Sequence, residues 1–489
     1  MALEAKVSQK LSYEELAFPN YINTHTALSL PAKVRGEDKI IEVPFSDIPK
    51  ACVLGGINFL NIGYTRGGKS QMMMDILRGY FNGDTETCPN GRGNLLYGRN
   101  EFTADAYFMD INQEEIGEGQ GLLSKARVQN EKRIRALCTT LDELNLCISQ
   151  KQVEYFMIGE GRHQGISLGE EEYHLLMSAC NLDRINGDFA GTSEINKALL
   201  NRFGVTLDHD FFAPTEADRN KFEMAKQTGK LKLAPLRDLS PQILEAYREI
   251  SQRTRSFNPL FAAYSRFISS GLEYCEKDAD KRKKKIWPSN CASCDFPNKD
   301  LCSLVKHSPT GTIEAVKRFA TSMAYLIELK HGSEVVVDPF DLMLESYKFT
   351  TYHGALNSLL TISDFSGEDQ EQMNKAVFEL RKAVAPIKHY LEESILLAER
   401  ESAVSTNFCR IRKPDGSEVV FPENGSVHAR LKETNEGLAK IAKNKKISYE
   451  TFNPFENLAQ STGLSINWLP SFLEFVRDYY QAQKSEEIK

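Results

Sequence analysis

Gly63-Tyr64-Thr65-Arg66-Gly67-Gly68-Lys69-Ser70 lies between the apolar run Ile57-Asn58-Phe59-Leu60-Asn61-Ile62 and the amphipathic stretch Gln71 to Tyr80. The string follows G-x-x-x-x-G-K-[ST], with a strand pattern entering it and a helix pattern leaving it. Its glycines let successive backbone N–H groups turn inward around an anion, and the helix N-terminus adds positive potential. Lys69 is the side chain that bridges β- and γ-phosphates, and Ser70 is the one that holds Mg²⁺. Gly63, Thr65, Arg66, Gly67, Gly68, Lys69 and Ser70 are the expected phosphate-loop residues. A plain glycine turn would use the glycines but leave Lys69 and Ser70 unexplained.

Outward from the loop, the pattern from Cys52 to about Phe212 alternates short apolar runs with longer amphipathic ones. That suits an α/β fold built on a parallel sheet. Residues 1–50 read as an N-terminal leader packed on the next domain, and 51–230 as the nucleotide-binding core. Residues 231–348 carry helical periodicity, as in Ile313, Val316, Phe319, Ala320, Met323 and Ile327, and read as a helical lid with an insertion at about 272–305. Residues 349–489 read as a mainly helical C-terminal domain with no role assigned by the sequence. Within it, Pro414-Asp415-Gly416 separates two strand-like runs, Phe408 to Ile411 and Glu418 to Phe421, as in a hairpin.

The chain has 489 residues, 41% of them hydrophobic, enough for two to four domains with real cores. The N-terminus lacks a basic region followed by an apolar stretch, and no apolar run is long enough to span a bilayer, so a cytoplasmic protein is expected. A net charge of -7 argues against a nucleic-acid coat protein.

A phosphate loop needs carboxylates at the end of a neighbouring strand, one for the Mg²⁺ shell and one to orient the attacking water. Asp142-Glu143, after Ala136-Leu137-Cys138-Thr139-Thr140-Leu141, is the first candidate. Asp110, after Ala106-Tyr107-Phe108-Met109, is the rival, although Ile111-Asn112 follows where a second acid is wanted. Further on, Tyr173 to Cys180 reads as a buried strand ending at Asn181, and Ile195 to Phe203 as a short helix ending at Arg202.

Taken in order, the loop, Asp142-Glu143-Leu144-Asn145, the strand ending in Asn181 and Leu200-Asn201-Arg202-Phe203 resemble the MoxR-like branch of the AAA+ ATPases. The resemblance covers roughly residues 30–350. It implies ATP and Mg²⁺ as ligands, with Asp142 on the Mg²⁺ side, Glu143 orienting water and Asn181 sensing the γ-phosphate. It also implies that Arg202 is a finger reaching a neighbouring subunit's nucleotide, which requires a homo-oligomeric ring, with a hexamer expected. The ring would remodel a partner protein, the family often pairing with von Willebrand A-domain proteins. The family's Ser-Pro-Arg-Ala lid entry appears here as Ser308-Pro309-Thr310-Gly311 without its arginine, leaving Lys317 and Arg318 as substitutes. A nucleic-acid-directed motor or defence component, using ATP or GTP, is the alternative class.

Cys275, Cys291, Cys294 and Cys302 cluster within the insertion. Cys-x2-Cys grips a tetrahedral metal from a tight turn, so a four-cysteine Zn²⁺ site is expected, with a [4Fe-4S] cluster as alternative. The Lys281 to Lys285 run beside it could touch nucleic acid, but charge runs in loops are usually only solvated, so that role is not favoured.

Overall fold

The computed structural model describes residues 10–64, 67–83, 91–98, 108–111, 127–147, 149–181, 197–229, 233–256, 258–271, 304, 310–350, 365, 370–381, 408–412 and 418–422. The chain divides into two compact units, one of residues 1–256 and 314–371, the other of 257–313 and 372–489.

In the first unit, the segment expected as a leader contains regular structure. Strands β1 (Thr26–Val34) and β2 (Glu37–Pro44) pair antiparallel. Arg35 and Gly36 connect them at φ 53° and 84°, the doubly positive geometry of a two-residue hairpin turn. Helix α1 (Asp47–Gly55) then delivers the chain to β3 (Phe59–Gly63), followed by α2 (Lys69–Phe81) and β4 (Gly93–Tyr97). A separate antiparallel ribbon, β5 (Met109–Ile111) with β6 (Arg127–Gln129), precedes α3 (Glu131–Ile134) and β7 (Cys138–Asp142). After α4 (Ser149–Gly159) come a two-residue-stranded hairpin, β8 (Arg162–His163) with β9 (Ile166–Ser167), then β10 (Leu175–Asn181), α5 (Lys197–Leu200) and β11 (Val205–Asp208).

Strands β11, β3, β10, β7 and β4 form one five-stranded sheet in that order, and every pairing is parallel. All five residues of β3, and all of β10 except Asn181, are buried. That is why these strands read as continuous apolar runs: helices cover both faces and no polar side is left. Leu60, Ile62, Leu141, Leu176 and Cys180 share a buried cluster with Tyr155 and Ile158 of α4. Met72, Met73, Ile76 and Leu77 of α2 are also buried. The buried Asn61 is satisfied, donating to the Ser178 carbonyl at 2.9 Å and lying 3.0 Å from Nε2 of His209.

Helices α6 (Glu216–Gln227) and α7 (Ser240–Arg255) follow the sheet. In α7, Ile243, Leu244, Tyr247 and Ile250 recur at helical spacing and are buried. Helix α8 (Pro259–Gly271) belongs to the second unit. Helix α9 (Thr310–His331) buries Val316, Phe319, Ala320, Met323 and Ile327, the stripe its sequence shows. Strand β12 (Val335–Val337) completes a three-stranded sheet by pairing antiparallel with β1, and α10 (Pro339–Thr350) follows. An ion-pair cluster ties α9 to α1: Asp47, 2% exposed, receives Lys50 at 2.8 Å and Lys330 at 2.9 Å. Burial by itself would raise the Asp47 carboxyl, but the two ammonium groups hold it below the ordinary carboxylate range. Strands β13 (Phe408–Arg412) and β14 (Glu418–Pro422) of the second unit form the antiparallel hairpin expected around Pro414-Asp415-Gly416. Among the described residues, no helix is long and apolar enough to cross a membrane.

Candidate nucleotide site

Parallel strands place all their C-terminal ends on one edge of the sheet, where α/β folds build binding sites. The register brings three of the expected groups to that edge. Asn181 pairs with Gly63, Ser178 with Leu141, and Tyr97 with Asp142. A pocket of about 330 Å³ opens there, lined by Gly67 to Gln71, Asp142, Glu143, Ala179, Cys180 and Asn181. Thr65 and Arg66 lie outside the described residues.

Gly68, the cap of α2, sits at φ 84°, and the 13-residue helix begins at Lys69, so that its N-terminal turn, the end carrying positive potential, lines the pocket. Lys69 is 5% exposed, and its ammonium donates to the carbonyls of Gly63, at 2.7 Å, and Tyr64. Burial lowers its pKa, opposed by the charges of Asp210, Cys180, Asp142 and Asp208. Asp210, just beyond β11, accepts the Tyr64 N–H with both carboxylate oxygens, at 2.9 and 3.0 Å, and so grips the start of the loop. A side chain at Gly63 would meet that carboxylate at 2.8 Å. The sequence reading missed Asp210. Its signal was present, since it follows another parallel strand at the same edge as Lys69.

Asp142 and Glu143 are half-buried at the end of β7. Glu143 occupies left-handed backbone space, φ 58° and ψ 44°, with its N–H donating to Oδ1 of Asp142 at 3.0 Å. A non-glycine residue held there stores local strain of the kind that gathers at functional sites. The rival Asp110 lies in the β5–β6 ribbon, outside the parallel sheet.

Arg202 stands elsewhere. It precedes β11, and its carbonyl accepts from Nδ2 of Asn58, the residue that enters β3. The five residues of β3, about 16 Å at strand rise, therefore separate it from the phosphate loop of its own chain. Its guanidinium pairs with Glu160 and lies 4.4 Å over the Phe156 ring. Its Nε is buried and has no hydrogen-bond partner among the described residues. The same strand-entry edge carries a cleft of about 520 Å³, lined among others by Asn58, Arg202, Tyr247, Arg255 and Arg318. Arg318 donates to the Tyr247 hydroxyl at 2.9 Å with its guanidinium 5.2 Å from that ring. Arg318, one of the two lid substitutes considered with Lys317 for the γ-phosphate contact, thus lines a cleft away from the loop of its own chain.

Cys275, Cys291, Cys294 and Cys302 lie outside the described residues, as does the Lys281 to Lys285 run. Among the described residues, no group of three or more His, Cys, Asp or Glu side chains is placed to hold a metal ion. Cys52, Cys138, Cys147 and Cys180 are buried in the first unit.

No protein-family model matches the chain, and no curated protein matches it in sequence. Among solved structures, a Cytophaga hutchinsonii protein with a proposed ATPase assignment is similar at TM-score 0.46 and 10% identity, over 67% of this chain and 86% of that one. A full-length MCM homolog from Methanopyrus kandleri is similar at TM-score 0.34 and 10% identity, over 63% of this chain and 55% of its own. The sheet and the loop at its edge define an α/β fold of the phosphate-loop type.

Proposed function

We propose that this chain is a MoxR-type AAA+ ATPase that hydrolyses ATP between subunits of a ring of its own copies. The observation that carries the reading is the division of the expected site between two edges of one sheet. Lys69, Asp142, Glu143 and Asn181 line one pocket, whereas Arg202 and Arg318 line a cleft at the other edge. A second copy presenting its Arg202 edge to the first copy's loop edge would join them. Such head-to-tail contacts close into rings.

In this reading the loop N–H groups and the α2 N-terminus receive the phosphates, and Lys69 exchanges its carbonyl partners for them. Ser70 and Asp142 would hold Mg²⁺, which neutralises phosphate charge when bound. The pocket suits that ion: the carboxylate and hydroxyl are hard oxygen donors beside a cationic loop. Glu143 orients the attacking water, Asn181 contacts the γ-phosphate, and Arg202 of the adjoining subunit stabilises charge developing on the transferred group. The energy released would remodel a partner protein, and von Willebrand A-domain proteins are the first candidates by resemblance.

Lys69→Ala tests the nucleotide step. It is expected to weaken ATP binding at least a hundredfold in a fluorescent-nucleotide titration, and affinity within threefold of wild type would sink the phosphate-loop assignment. Parallel titration with GTP reads the base preference. The four-cysteine site is proposed from spacing alone. Elemental analysis of anaerobically purified protein is expected to find about one zinc per chain, or iron with a brown absorption shoulder. Folded protein containing neither metal would dismiss it.

A further inference from the structure

Asn145 follows the Asp142-Glu143 pair, and the reading above gives it no task. The residue is 1% exposed and, among the described residues, its side chain bonds both backbone groups of Asn181: Nδ2 donates to the Asn181 carbonyl at 2.9 Å, and Oδ1 accepts the Asn181 N–H at 3.3 Å. A primary amide that matches both backbone groups of one residue acts as a substitute strand partner. It extends pairing between β7 and β10 beyond Ser178 and Leu141, their last shared register. The far side of the same turn is closed by backbone. Gly98, just after β4, donates to the Asp142 carbonyl at 2.7 Å, and a side chain there would come within 2.1 Å of the Glu143 carbonyl oxygen. Between these contacts sits Glu143 at positive φ. Left-handed backbone at a glutamate persists only where its surroundings over-determine it; among the described residues, Gly98 and Asn145 add to the holds on Glu143 itself, whose N–H is taken by Asp142 Oδ1 and whose carbonyl accepts the Leu146 N–H at 3.0 Å.

We infer that Asn145 is a positioning residue that locks the turn carrying Glu143 to the Asn181 end of β10, with Gly98 as the opposing wall. The carboxylate that orients water and the amide that contacts the γ-phosphate then shift as one body. A change at Asn181 is passed to Glu143 through two hydrogen bonds rather than through the nucleotide. The inference rests on the ATPase reading, because it assigns Asn145 an effect on turnover.

Asn145→Ala is expected to lower kcat by tenfold to a hundredfold while KM for ATP stays within threefold, since misplacement by about 1 Å costs on that order. Asn145→Asp keeps the size but loses the donor to the Asn181 carbonyl, and should fall at least as far. It is the variant read if the alanine protein does not fold. Gly98→Ala should show the same split of kcat from KM. In the Glu143→Gln background, Asn145→Ala should add no further loss, the non-additivity expected of residues acting through one group. Wild-type kcat in Asn145→Ala overturns the inference, as does an equal fall in nucleotide affinity, which marks a merely structural role. If Glu143→Gln itself turns over normally, the ATPase site assignment fails instead, so the two failures are separable.

Discussion

Glu143→Gln is expected to bind ATP as wild type does and to hydrolyse it roughly 10² to 10⁴ times more slowly, the usual contribution of a positioned general base. The amide has the size of the carboxylate but cannot draw a proton from water. Glu143 lines the pocket beside Asn181, while Lys69, the proposed phosphate ligand, is untouched. The loss should therefore fall on kcat and leave affinity alone, trapping the ATP-bound assembly. Single-turnover hydrolysis with a parallel binding titration checks both halves. Hydrolysis at the wild-type rate would remove Glu143 from the mechanism. Asp110 would inherit no advantage, because its ribbon stands outside the parallel sheet.

Arg202→Ala should reduce turnover by roughly 10³ to 10⁵ with each subunit's ATP affinity little changed, the range seen when a cation is withdrawn from a phosphoryl-transfer site. The position of Arg202 sharpens the argument. With a full strand length between it and its own loop, any contact it made with a nucleotide would have to be with a neighbour's. Destabilisation is a weak rival explanation. Its ion pair with Glu160 is about one-third exposed on both partners, a class worth at most about 1 kcal/mol. Mixing decides the matter. Arg202→Ala subunits combined with Glu143→Gln subunits should regain activity, because one interface type then holds both Glu143 and Arg202. Subunit exchange is confirmed with labelled protein. A mixed assembly that exchanges yet stays inactive, or a dilute monomer as active as the assembly, rejects the intersubunit finger.

Much of this was legible along the chain because it depends on local chemistry. The G-x-x-x-x-G-K-S string specifies its own backbone: glycine where positive φ is needed, Lys69 to begin the helix, an apolar run behind. The strand ends at Asp142 and Asn181 were visible because buried parallel strands must be apolar until they reach the edge. The α9 stripe and the hairpin around Pro414-Asp415-Gly416 followed from periodicities of 3.6 and 2.

What the sequence could not show was which ends meet. The β1–β2 hairpin was read as part of a leader, and nothing local announces that β12, some 300 residues later, pairs with β1. Asp210, Asn145 and Gly98 acquire their meaning from neighbours one strand away, at distances that sequence spacing does not encode. The resemblance named Arg202 as a finger and Arg318 as a possible γ-phosphate contact, but only the sheet places both on the edge away from Lys69. Residue types and periodicity settle what each segment can do by itself. Strand order and register, decided by packing between segments distant in sequence, settle which groups can act on the same ligand.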